Sequence, residues 1–172
     1  MAKQEKMVRC RYPKCSKLHN SVELRKDDAV EGGKGKYYHP DCYHTLQTVL
    51  KIRDLFVKEI NPIMTGQQIG ALVSTVNNMV FSKGIDVDYI WFALQYFIKY
   101  KPGKLHQPHG MHYIVQDRDV VTAWKKEQER KMREEIKAQI KTSDQKEKEV
   151  IEPSNGFVFK PSQPRSFTDI LH

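Results

Sequence analysis

Three cysteines and one histidine, Cys10, Cys15, His39 and Cys42, form a C-x4-C-x23-H-x2-C pattern, and this set constrains the chain more than any other feature. Zinc favours four nitrogen and sulfur ligands at the corners of a tetrahedron, and the pattern supplies all four. Three cysteines are too few and too odd in number for a disulfide scaffold, whereas together with a histidine they fit a metal site in a reducing compartment. A catalytic zinc keeps one position open for water or substrate, and four protein ligands leave none, so one structural Zn2+ is expected. His19 and His44 compete for the histidine position. His19 would replace His39 only with a different loop geometry, and His44 lies farther along the helix expected from Pro40, so His39 is retained.

The rest of the chain reads as elements arranged around that site. A short irregular N-terminus leads to a knuckle at Cys10 and Cys15, and a hairpin is expected from Val22–Arg25 and Lys36–His39, with Gly32-Gly33-Lys34-Gly35 as its turn. From Pro40 the apolar spacing becomes helical through Leu46, Val49, Leu50, Phe56 and Ile60, and Asn61-Pro62 should end the helix. Ile69, Leu72, Val73, Val76 and Val80 mark a second helix that stops at Lys83-Gly84. A third, capped by Asp86 or Asp88, carries Ile90, Leu94 and Phe97, with Tyr89, Phe92, Ala93, Tyr96 and Tyr100 broadening its apolar stripe. Lys101-Pro102-Gly103 breaks that helix, and Met111–Val115 is expected to form a short strand. A last helix should start at Asp117 or Asp119 and reach about Lys141, anchored by Val120, Val121 and Trp124 and then thinning to Met132, Ile136 and Ile140. Residues from Thr142 read as a mobile tail, with Phe157-Val158-Phe159 an isolated apolar insertion that suits either a docking peptide or incidental packing.

Tyr38-His39-Pro40-Asp41-Cys42 followed by a helix resembles treble-clef zinc fingers and the first half of LIM-like modules. The resemblance covers residues 8 to 60, and the four-residue gap between Cys10 and Cys15 departs from the more usual two-residue knuckle. It implies a metal-stabilised platform for nucleic-acid or protein contacts. The fold class expected is α+β: an N-terminal treble-clef-like zinc module in residues 1–61, a mainly helical domain with a short β element in 62–124, an extended charged helix in 118–141 and a flexible tail in 142–172.

Charge sharpens the choice of partner. The formal net charge is +8, and ten Lys/Arg against five Asp/Glu fall in the first forty residues, at the cysteine-bearing end. Arg9, Arg11, Lys14 and Lys17 surround the first ligand pair, while Lys34 and Lys36 occupy the expected hairpin tip. Cations displayed on a zinc-stabilised surface suit the phosphates of DNA or RNA. Tyr12, Tyr37 and Tyr38 suit base stacking or, equally, packing around the metal. Trp91, Met132, Ile136 and Ile140 are candidates for contact with a protein or with a second copy of the chain.

Several activities find no support. His106, His109 and His112 form an H-x2-H-x2-H run interrupted by Pro108 and Gly110, which reads as loop and packing histidines rather than a second metal site. No Walker motif or metalloprotease His-Glu pattern occurs. The two helices after Pro62 have the length of a helix-turn-helix, but the second is dominated by Ile90, Trp91, Phe92, Leu94, Tyr96 and Phe97 rather than base-reading side chains. No apolar run approaches a membrane span and no signal peptide is evident, so a soluble cytoplasmic protein is expected. The function expected is non-enzymatic: a nucleic-acid-binding accessory or regulator of a transcription or replication complex, in the manner of a small viral accessory protein. The alternative is a zinc-stabilised protein-protein adaptor or structural assembly subunit without direct nucleic-acid binding.

Overall fold

The computed structural model of the chain describes residues 6–150, with side chains to residue 140. It is α+β, mostly helical with two small antiparallel sheets. In chain order the elements are β1 (Met7–Arg9), α1 (Cys15–Leu18), β2 (Glu23–Arg25), β3 (Val30–Glu31), β4 (Tyr37–Tyr38), α2 (Pro40–Glu59), α3 (Gly66–Lys83), α4 (Val87–Tyr100), α5 (Met111–Ile114) and α6 (Arg118–Val150). The chain separates into two units, Met1–Gln128 and Glu129–His172, the second represented among the described residues by the remainder of α6. Among the described residues, no helix is long and apolar enough to cross a membrane.

The sheets correct the expected hairpin. β2 pairs with β1, Val8 lying opposite Leu24, whereas β4 pairs with β3. The N-terminal stretch is therefore a strand, because pairing it with β2 puts Val8 and Leu24 side by side against the cysteine cluster. A 3-10 turn at Lys26–Asp28 ends β2 before it can reach the glycines. The glycine turn does join a hairpin, but its first strand is Val30–Glu31; Gly33 and Gly35 adopt φ of 88° and 67°, the left-handed region that glycine enters without steric cost. A single bridge between Cys10 and Tyr37 links the two sheets.

The helices follow their local signals. Thr65 and Gln68 form a reciprocal capping box at the start of α3: the Gln68 N–H donates to Thr65 Oγ1 at 3.3 Å and the Thr65 N–H to Gln68 Oε1 at 2.9 Å. Gly84, at φ 64°, ends α3 in the left-handed conformation. The Asp86 carboxylate accepts the Asp88 N–H at 2.7 Å and starts α4. Asp117 does the same for α6 by accepting the Asp119 N–H at 3.0 Å.

Met111–Val115 forms no strand; Met111–Ile114 is the short helix α5. Its buried positions, Met111, Ile114 and Val115, recur three and four residues apart, so the segment buries a helical face that period-two alternation cannot. α6 also overruns its expected end near Lys141 and continues to Val150, and residues 142–150 contain no glycine or proline to stop it. Residues 151–172, including Phe157-Val158-Phe159, lie outside the described residues.

Two cores result. The larger is built from Val49, Ile52 and Phe56 of α2, Leu72, Val76 and Met79 of α3, Ile90, Leu94 and Phe97 of α4, and Met111, Ile114 and Val120. The smaller gathers Cys10, Tyr12, Cys15, Leu24, Tyr38 and Cys42, with Phe81 of α3 packed against it. α2 serves both: Cys42, Thr45, Val49, Ile52 and Phe56 fall three and four residues apart along one buried stripe.

Beyond the core, Lys101 Nζ bridges Asp117 at 2.6 Å and Asp119 at 2.8 Å, tying the end of α4 to the start of α6. The Tyr89 hydroxyl, donating to the Val115 carbonyl at 2.7 Å, fastens the same region.

Phe56 is fully buried between the α2–α3 and α2–α4 contacts. Phe56→Ala should cost about 3–5 kcal/mol in a urea unfolding experiment; a loss below about 1 kcal/mol would mean that this stripe does not carry the core. Hydrogen bonds from Lys101 hold the Asp117 carboxyl below its ordinary range. A depressed carboxyl stabilises the fold at neutral pH, and that contribution disappears as the pH falls through its folded-state pKa. Lys101→Met should therefore flatten the acid limb of a Tm against pH curve, and an unaltered acid limb would show that the bridge contributes nothing.

Candidate metal centre

Each cysteine and histidine of the set sits at the edge of a short element. Cys10 follows β1, where its N–H donates to the Val22 carbonyl at 2.8 Å, and the next residue, Arg11, donates to the Tyr37 carbonyl at 2.9 Å. The backbone at the first thiol is thus held by the residue that precedes β2 and by β4. Cys15 opens α1, its N–H donating to the Tyr12 carbonyl at 3.1 Å in a tight turn. His39 is the residue before Pro40, and a proline disfavours helical backbone at the position preceding it. His39 is accordingly extended, at φ −61° and ψ 146°, while Pro40 begins α2 and places Cys42 in the first helical turn.

The Sγ atoms of Cys10, Cys15 and Cys42 and a ring nitrogen of His39 all lie within 4.8 Å of one another. Cys15 Sγ is 3.4 Å from His39 Nδ1. Two thiolates bound to one zinc at about 2.3 Å are separated by about 3.8 Å at the tetrahedral angle. The four groups are therefore close enough to bind one metal ion with small adjustment. The three thiols are buried, none is in a disulfide, and His39 is half-buried.

The electrostatics favour a cation at the centre of this group. Burial, reinforced by Cys10 and Cys15, pushes the Cys42 thiol well above its ordinary range, and burial pushes the Cys15 thiol up as well. Burial and the neighbouring His19 lower His39. Three negative thiolates packed this closely repel one another, and a bound divalent ion reverses that balance because it attracts each of them and binds neutral imidazole.

The competing histidines have other positions. The His19 ring stacks on His39 with centroids 4.0 Å apart and planes at 17°, covering the ligand ring outside the four-group cluster. His44 Nε2 lies 2.9 Å from Asp88 and connects α2 with α4. His106, His109 and His112 form no further three-ligand group among the described residues; His112 Nδ1 lies 3.4 Å from Lys83 Nζ.

Arg9, Arg11, Lys14, Lys17, Lys34 and Lys36 are all exposed. Arg9 stands opposite Glu23 in the β1–β2 ladder, which offsets part of its charge. Tyr12 and Tyr38 are buried in the cysteine core, so their rings are committed to packing; Tyr37 is half-buried, with Lys26 Nζ 5.6 Å from its ring centre. Trp91 is half-buried against the larger core, while Met132, Ile136 and Ile140 are 60%, 50% and 55% exposed.

A cleft of about 420 Å³, for which the sequence reading had no counterpart, lies between the first ligand knuckle and α3. Lys14 and Lys17 line it from one side, and Gly70, Val73, Ser74, Asn77, Asn78, Phe81 and Ser82 from the other. No carboxylate is among these residues. The Tyr12 hydroxyl donates to Asn77 Oδ1 at 3.4 Å and its ring lies 5.8 Å from that of Phe81, so the knuckle rests directly on α3. Burial, with the Cys42 thiol beside it, pushes the Tyr12 phenol up to about 12, which keeps it a neutral donor. The signal in the sequence is the stripe of small and polar residues Gly70, Ser74, Asn77 and Asn78, continued by the aromatic Phe81, at three- and four-residue spacing along α3.

Comparison with known protein families, with curated proteins and with solved structures finds no match for this chain.

Metal titration of the reduced protein should show one divalent ion bound per chain, with protons released from the thiols as it binds and apparent affinity falling as the pH is lowered. Cys42→Ser should weaken binding by at least an order of magnitude, because a buried hydroxyl replaces the thiolate. A Cys42→Ser protein that retains the ion with unchanged affinity would remove Cys42 from the ligand set.

Proposed function

We propose that the chain is a non-enzymatic nucleic-acid-binding accessory or regulatory subunit of a transcription or replication complex, stabilised by one structural zinc in a treble-clef-like N-terminal module. Zinc suits the donor set, since three thiolates and one imidazole match its preference for sulfur and nitrogen in a tetrahedron. Four protein ligands leave no position for a reacting water, which supports a structural role. The free thiols agree with a reducing, cytoplasmic setting.

The observation that carries the proposal is the display of six exposed cations on the metal-bearing end of the chain, two of them bordering a cleft lined by amides and hydroxyls and no carboxylate. Such a surface binds phosphates by releasing their condensed counterions, and its affinity depends on salt. A second reading, a zinc-stabilised protein adaptor, is favoured by a different feature: Met132, Ile136 and Ile140 expose apolar side chains at four-residue intervals on α6. In that second reading the zinc module and the helices both meet protein partners, and no nucleic acid is bound directly.

Binding of the zinc-loaded protein to labelled DNA and RNA should weaken linearly in log K against log salt, with a slope near 0.7 to 0.9 per phosphate contacted. Replacing Lys34 and Lys36 together by glutamine should reduce that slope by roughly one to two. Binding that ignores salt, or no binding to any nucleic acid at low salt, would sink the proposal in favour of the adaptor.

A further inference from the structure

We infer that the cleft between the first ligand knuckle and α3 seats one unpaired nucleotide of a single strand, its phosphate on Lys14 and Lys17 and its base against Phe81 and the side chains of Asn77 and Asn78. This rests on the nucleic-acid reading above and narrows it to single strands.

The lining divides into the parts that a nucleotide requires. Lys14 and Lys17 supply two ammonium groups on one wall, and no carboxylate is among the lining residues to oppose an anion there. Phe81, half-buried at the other wall, offers a ring to stack on, a contact that every base can make. Asn77 Oδ1 accepts from the Tyr12 hydroxyl at 3.4 Å, and its amide N–H groups make no hydrogen bond among the described residues, so they can donate to a base edge. Asn78 is exposed one residue farther on and offers both a donor and an acceptor to a base edge. Paired bases hold their stacking faces and Watson–Crick edges inside the duplex, whereas the volume of about 420 Å³ accepts a base turned out of the stack.

The position of the cleft also connects it to the metal. Cys15 lies between Lys14 and Lys17 and begins α1, so a metal holding Cys15 fixes the cationic wall. Tyr12, buried among the ligands, fixes the opposite wall through Asn77 and Phe81. The nucleotide site is thus assembled on the metal-binding core, and the cations at Lys34 and Lys36 contribute to affinity from outside the cleft.

The test is fluorescence anisotropy with the zinc-loaded full chain and labelled oligonucleotides at fixed moderate salt. The probes are an unstructured oligothymidine and its RNA counterpart, a duplex hairpin with the same number of phosphates, and an abasic strand of the same length. We expect the single strand in at least one sugar series to bind about tenfold or more tighter than the hairpin, and the abasic strand to lose most of that advantage. Ser74→Glu and Asn78→Ala alter exposed α3 side chains outside the core, and their folding is checked by helical circular dichroism and metal content. Each should erase the preference for single strands, whereas Lys34→Gln with Lys36→Gln should weaken single strand and hairpin alike. Equal binding of single strand, hairpin and abasic strand, with the Ser74 and Asn78 variants matching wild type, would overturn the cleft assignment while leaving the broader nucleic-acid reading in place. Absence of salt-sensitive binding to every probe would overturn both.

Discussion

One helical stripe holds the N-terminal part of this protein to its helical part. Cys42 at the start of α2 belongs to the cysteine core, and Val49, Ile52 and Phe56 on the same side of the same helix belong to the larger core with α3 and α4. Because an α-helix is stiff over its 20 residues, the orientation that buries Ile52 and Phe56 also decides where Cys42 points. The placement of Pro40 matters for the same reason. It starts the helix one residue after His39, so that the imidazole leaves extended backbone and the Cys42 thiol leaves the first turn, and the two meet.

The ligand cluster in turn organises groups that have no role in metal binding. Tyr12 lies between Cys10 and Cys15 in sequence and is buried with them, and its hydroxyl and ring make the contact with Asn77 and Phe81 of α3. Lys14 and Lys17 flank Cys15 and line the cleft that this contact creates. A small core of six buried residues, three of them thiols, has little apolar area to hold its shape, and a divalent ion held by those thiols and the adjacent His39 would supply what packing alone does not. The proposed function would use the same economy, with a metal in a structural role and the contacts to a partner left to the lysines, amides and aromatic ring around it.

Much of the helical framework was legible from residue chemistry. Asp86, Lys83-Gly84 and Lys101-Pro102-Gly103 are local stop and start signals whose effect does not depend on distant neighbours, and the helices end where those signals stand. The ligand set was legible too, because few arrangements other than a metal site bring three cysteines and a histidine together at such spacing in a chain of this size. The strands were not. Met7–Arg9 carries one apolar residue of note, Val8, and its value as a strand appears only when Leu24 lies beside it. In Met111–Val115 five residues are too few to separate period two from period 3.6, and the burial of Met111 with Ile114 decides for helix.

By itself, then, the sequence determined which four side chains could hold a metal, the helix boundaries set by caps and breakers, and the concentration of positive charge at the cysteine-bearing end, all of which depend on residue type and near neighbours. Only the tertiary structure decided which strands pair, that His19 covers His39 and His44 serves Asp88, and that Lys14 and Lys17 share a cleft with Ser74, Asn77 and Asn78 some sixty residues away. The physical reason is that pairing and clefts arise from side chains far apart in the chain competing for the same buried surface, and no local propensity records the outcome of that competition.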